Sequence, residues 1–138
     1  MVLRLQLQFS AHASPKARTK TPLSTCPPFS LSLYCAKVAN ATVLTHARVG
    51  APREIQVGDP SAPEHASLLA TYEQWWGLLW ANQQARNVPV LIEAEYGPSP
   101  YMPSLPHTEM PVADLTNVVE FVGRRQLSRF KDGVCDAP

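Results

Sequence analysis

Two short stretches hold the residues best equipped for chemistry. In VPVLIEAEY (88–96) the carboxylates Glu93 and Glu95 interrupt an apolar run just before a glycine and several prolines, and in VLTHARVG (43–50) His46 and Arg48 interrupt another. An ionised carboxylate in an apolar strand is costly unless an opposite charge, hydrogen-bond donors or a metal ion compensates it. Carboxylates, an imidazole and a guanidinium brought together have two uses. They can form a structural ion pair, with Arg48 or another base neutralising the glutamates and His46 hydrogen-bonded. They can also move a proton next to a polarised carbonyl while the guanidinium holds an oxyanion. Spacing alone favours the structural ion pair, because such pairs are common.

The elements that would position these groups follow from the patterning around them. ATVLTHARV (41–49) has the β-branched and apolar content of a buried strand and is closed by Gly50, Ala51 and Pro52. Pro63 suits an early helical position. From about Glu64 to Arg86 the residues Leu68, Leu69, Tyr72, Trp75, Trp76, Leu79 and Trp80 recur at three- and four-residue spacing, which predicts a long amphipathic helix whose tryptophans pack into the core. Asn87-Val88-Pro89 stops it. VPVLIEAEY is a second strand, followed by a loop from Gly97 to about Pro111. A last helix over about 112–130 carries Val118, Val119, Val122 and Phe130 on or near one face. Strand, helix, strand, helix with continuous apolar strands predicts an α/β fold with a parallel sheet covered by helices. Residues two apart share one face of a strand, and ligands of such folds bind beyond the carboxyl ends of the strands. His46 and Arg48 on one strand and Glu93 and Glu95 on the next are therefore expected to converge, with Glu93 one pleat deeper than Glu95.

Charge divides the chain. No acidic residue precedes Glu54, whereas seven basic ones do; from Glu54 onward eleven acids face five bases. Residues 1–36 are rich in Ser, Thr and Pro and free of acids, which predicts a disordered or targeting-like tail of transit-peptide type; the alternation in LRLQLQF is equally compatible with a short strand. Residues 132–138 are expected to fray. The sparse charges without interleaved aromatics argue against nucleic acid, and no apolar run is long enough to span a membrane. Three scattered cysteines, Cys26, Cys35 and Cys135, give neither a zinc-site spacing nor a disulfide framework, so a reducing, cytoplasmic setting is the default, with an organelle as the alternative.

Five pieces carry a resemblance: HARVG (46–50), DPSAPE (59–64), YEQWW (72–76), EYGPSPY (95–101) and LPHTEMPVADL (105–115). In this order and spacing, over about residues 42–130, the chain resembles the C-terminal part of the sugar phosphate isomerase/epimerase family, the xylose-isomerase-like barrels. The resemblance implies a partial (β/α)8 barrel made of C-terminal βα units over residues 37–131, with an irregular N-terminal segment. It implies a divalent metal (Mn, Co or Mg) held by His46 and Glu95, with Glu95 also catalytic and Arg48 at the substrate; His107, by its place in the proline-rich loop, is expected to border the substrate site. Mixed imidazole and carboxylate ligands suit such ions. Glu93 matches no family ligand and is expected to be a supporting residue. The implied activity is metal-assisted proton transfer next to a carbonyl of a sugar or sugar phosphate. A whole barrel takes about 250 residues, so the chain is expected to be incomplete alone, relying on self-association or a completing chain; the alternative is a non-catalytic barrel remnant or interaction module.

Overall fold

The computed structural model describes residues 3–9 and 37–132, so expectations for residues 10–36 and 133–138 lie outside it. Its elements are β1 (Leu3–Phe9), β2 (Thr45–Ala47), a single 3-10 turn (Pro63–His65) leading into α1 (Ala66–Ala85), β3 (Val90–Tyr96) and α2 (Leu115–Asp132). Residues 37–41 add a short helical segment before β2. The fold is mixed α/β, with helices packed on a three-stranded sheet ordered β1-β3-β2.

Local chemistry sets these boundaries. Pro63, with its fixed φ, opens the turn that feeds α1. Leu69, Glu73, Trp76, Gly77, Trp80 and Gln83 form the buried stripe of α1 at helical spacing. The helix ends where Asn87 turns left-handed (φ 56°). There the amide of Asn87 donates to Gln84 (3.0 Å) and that of Val88 to Gln83 (3.1 Å), closing the carbonyls of the last turn. Arg86 reaches back to the carbonyls of Ala39, Asn40 and Thr42, tying the 37–41 segment to this end. At the start of α2 the Asp114 carboxylate accepts the Asn117 amide at 2.8 Å, an N-terminal cap.

β2 and β3 pair in parallel, with Thr45, His46 and Ala47 opposite Ile92, Glu93 and Ala94. The expected nine-residue first strand is reduced to three: at its start the Thr42 amide is turned onto the Ala39 carbonyl (3.3 Å), and at its end the Arg48 amide turns back onto the His46 carbonyl (3.2 Å) and leaves the ladder. β1 pairs with the other edge of β3 and runs antiparallel, from Leu3 opposite Tyr96 to Phe9 opposite Val90. Two expectations are corrected here. Residues 3–9 are a strand, the alternative their period-two pattern allowed, and not part of a tail. The sheet is mixed and not all-parallel, because the chain enters β3's free edge from the opposite direction.

The two faces of the sheet differ. Val90, Ile92, Ala94 and Tyr96 of β3, with Ala47, Val49 and the partly buried Leu5, pack against Trp76, Trp80, Val118, Val119 and Val122 of the two helices. Gly123 lets α2 approach closely: a Cβ there would lie 2.4 Å from Leu5 Cδ2 and 3.9 Å from Ala94 Cβ. Between the helices the buried Glu73 of α1 meets α2, accepting from Arg125 Nε at 2.6 Å, Arg125 Nη2 at 3.1 Å and Gln126 Nε2 at 3.1 Å, with Arg129 Nη1 at 3.4 Å. The opposite face of the sheet carries Arg4 and Gln6 of β1, His46 of β2, and Glu93 and Glu95 of β3. No described helix is long and apolar enough to cross a membrane.

Candidate functional site

The polar face gathers its charges at β3. Register places His46 beside Glu93, Arg4 opposite Glu95 and Gln6 opposite Glu93. Because β2 ends after Ala47, Arg48 swings over the end of β3, donating from Nε to the Glu95 carbonyl (2.9 Å) and from Nη2 to Glu95 Oε1 (2.7 Å). Its guanidinium carbon stands 5.9 Å from the centre of the Tyr101 ring. Tyr101 folds over Gly97, where any Cβ would come within 2.6 Å of the tyrosine ring. A paired amide fixes that turn: Gln56 donates to the Gly97 carbonyl (2.8 Å) and accepts the Gly97 amide (2.9 Å). The mouth of the site is thus held by residues from the loops after β2 and β3.

Glu95 is fully engaged. Oε2 accepts from His46 Nδ1, Oε1 accepts from Arg48, and Arg4 Nη2 stands 3.6 Å from Oε1. Burial pushes its carboxyl up, but the His46 hydrogen bond and the charges of Arg48 and Arg4 outweigh it and leave the group below its ordinary value. An ionised carboxylate only accepts, so the hydrogen of this bond belongs to His46 Nδ1. Glu93 is buried to the same degree yet receives only long contacts, 3.6 Å from His46 Nε2 and 3.8 Å from Arg4 Nε. Beneath the site the Tyr96 phenol accepts the Val49 amide at 3.0 Å, and burial pushes it up to about 12, which keeps it neutral.

His46, Glu93 and Glu95 each offer a ligand atom within 4.8 Å of the others, the kind of group able to hold a metal ion. The donors, one imidazole and two carboxylates, suit a divalent cation of the hard or borderline type. The His46 side chain is 47% exposed, so the group opens to solvent.

His46, Arg48 and Glu95, singled out from sequence, therefore come together, with Glu93 on the same face. His107, expected at the substrate, sits at the exposed tip of a turn (φ 65°) whose backbone bonds stay within residues 103–112. Among the described residues no hydrogen bond or ion pair joins it to the cluster. Arg4 and Gln56 escaped the sequence reading. Arg4 was legible only as one position of an alternating pattern, and Gln56 gave no signal.

Compared with protein-family models, curated proteins and solved structures, the chain matches none of them. The chemistry of the site therefore rests on its own residues.

Proposed function

We propose that this chain is a sugar or sugar phosphate isomerase/epimerase-like protein, a set of C-terminal βα units of a xylose-isomerase-like barrel that takes part in metal-assisted proton transfer next to a carbonyl. The observation that carries this reading is the convergence of His46, Glu93 and Glu95 on the solvent-facing side of a helix-backed parallel β2–β3 pair. In a barrel of parallel strands the helix-backed face points outward and the opposite face lines the interior. The alternation of Ile92, Ala94 and Tyr96 with Glu93 and Glu95 fits that division.

The residues that would hold a Mn²⁺, Co²⁺ or Mg²⁺ ion are drawn from the group His46, Glu93 and Glu95, and the ion when bound supplies a Lewis acid for a sugar carbonyl or hydroxyl. Arg48, anchored on Glu95 and stacked near Tyr101, is placed to hold a substrate oxyanion with its remaining donors. The proton-accepting role that the resemblance gives Glu95 does not fit a carboxylate already bonded by His46 and Arg48 and held below its ordinary value. Glu95 therefore orients those two side chains, and the proton acceptor comes from the completing strands. On this reading further strands, from another copy or a completing chain, supply the remaining ligands.

Titration calorimetry with Mn²⁺, Co²⁺ and Mg²⁺ on the whole chain tests the reading. It expects one site per chain, lost in His46→Ala. Heats identical in the wild type and that variant would remove the metal from the account.

The alternative, a non-catalytic interaction module, is favoured by one observation: Arg4 and Arg48 already place two guanidinium charges against the two carboxylates. An assembly that takes up no divalent cation and turns over no sugar phosphate is the outcome that selects it.

A further inference from the structure

Within that proposed cation seat the two glutamates are not equivalent, and their difference assigns their roles. We infer that a divalent cation binds between His46 Nε2 and a Glu93 oxygen, and that Glu95 does not ligate it but orients the imidazole from the far side. This rests on the metal-assisted reading above and departs from the ligand assignment that the family resemblance implies.

Three observations carry it. Both oxygens of Glu95 are already engaged: one is bonded by His46 Nδ1 and the other by Arg48. With the proton on Nδ1, the lone pair of the neutral imidazole lies on Nε2, the nitrogen 3.6 Å from Glu93 Oε2. Two metal–ligand bonds of about 2.1 Å span such a gap at an angle of about 120°. Finally, the Glu93 carboxylate, on a residue only 9% exposed, takes part in no hydrogen bond among the described residues, the neighbouring His46 Nε2 and Arg4 Nε standing at 3.6 and 3.8 Å. Held only by these long contacts, the carboxylate keeps lone pairs for a cation. Carboxylate, imidazole and metal in line is a recurring way of fixing a histidine ligand, the carboxylate setting tautomer and ring orientation. The His46 side chain itself is half-exposed.

The test uses the full chain, labelled with ¹⁵N and titrated with Zn²⁺ as a diamagnetic probe, while long-range proton–nitrogen correlations of the His46 ring are followed. His46→Gln identifies the resonances. The inference expects Nε2 to take up the metal while Nδ1 keeps its proton. Glu93→Gln should abolish the response with the amide spectrum otherwise preserved, since the Glu93 side chain holds no hydrogen bond among the described residues. Glu95→Gln should retain it with affinity weakened roughly 10- to 100-fold. Metal at Nδ1, or a Glu93→Gln protein that titrates like the wild type, overturns the assignment and leaves the cation seat standing with Glu95 as its ligand. A His46 ring that does not respond in the wild type up to millimolar Zn²⁺ overturns the assignment and the metal reading together.

Discussion

Glu95 carries most of the electrostatics of the site, and its position makes acid sensitivity a direct readout. The ordinary carboxyl value is near 4.5 and the folded one lies below it, so the folded state favours the ionised form. That contribution is fully present above about pH 4.5 and is lost as pH falls through the lower folded value. Urea unfolding at pH 7 and pH 3 should therefore show a smaller acid-induced loss in Glu95→Gln than in the wild type, with the variant about 2 kcal/mol less stable at pH 7 from the weakened Arg48 and His46 contacts. An acid response equal to that of the wild type would place the sensitivity elsewhere. Arg4 makes the opposite prediction. Its guanidinium lies 3.6–3.8 Å from both glutamates, so Arg4→Gln should raise Mn²⁺ affinity several-fold at low salt while Arg4→Lys does not, calorimetry being the measure. At this scale the convergence of His46, Arg48 and Glu95 was legible, because side-chain alternation along a strand is a local property. The division of labour between Glu93 and Glu95 was not, since it depends on which imidazole nitrogen faces which carboxylate.

Among the elements, α1 and α2 are joined by a charge that the sequence half discloses. Glu73 falls on the same stripe as Leu69, Trp76 and Trp80, a position where an acid signals a buried partner. The partner itself was hidden, because Arg125 and Arg129 lie some fifty residues further on and helical spacing says nothing about pairings between helices. Glu73→Ala leaves Arg125, Gln126 and Arg129 without that acceptor and should cost about 3 kcal/mol in thermal or urea unfolding. A loss below about 1 kcal/mol would show that the helices are held by Trp80, Phe130 and the valines alone. The shortness of β2 has a similar lesson: ATVLTHARV has strand composition throughout, yet the ladder stops at Ala47 because the Arg48 amide is spent on a turn.

For the whole molecule, β1 overrides the reading that composition favoured. LRLQLQF alternates at period two, but its partner Val90–Tyr96 is more than eighty residues away, and nothing in an acid-free, Ser- and Pro-rich neighbourhood points there. Residues 3–9 are therefore expected to contribute to the fold. Their deletion strips the antiparallel ladder from β3, removes Leu5 from the contact with Gly123 and bares a strand edge. A lower melting temperature and a shift towards higher-mass species in light scattering are expected; an unchanged, monodisperse deletion variant would mean that β1 contributes nothing to the fold. The helix-backed core was readable from periodicity, with α1 and α2 within a few residues of their expected ends.

The reversed direction of β1 also sets how the sheet can grow. Strands carry polarity, and with β1 seated on β3 the described sheet offers two unlike margins: an antiparallel one bounded by β1 and a parallel one bounded by β2. A same-direction neighbour can extend the β2–β3 arrangement on the β2 margin, whereas on the other side it must first displace β1 and Arg4 with it. Parallel growth from the β2–β3 pair is thus directed to the β2 margin, and residues 3–9 set that direction.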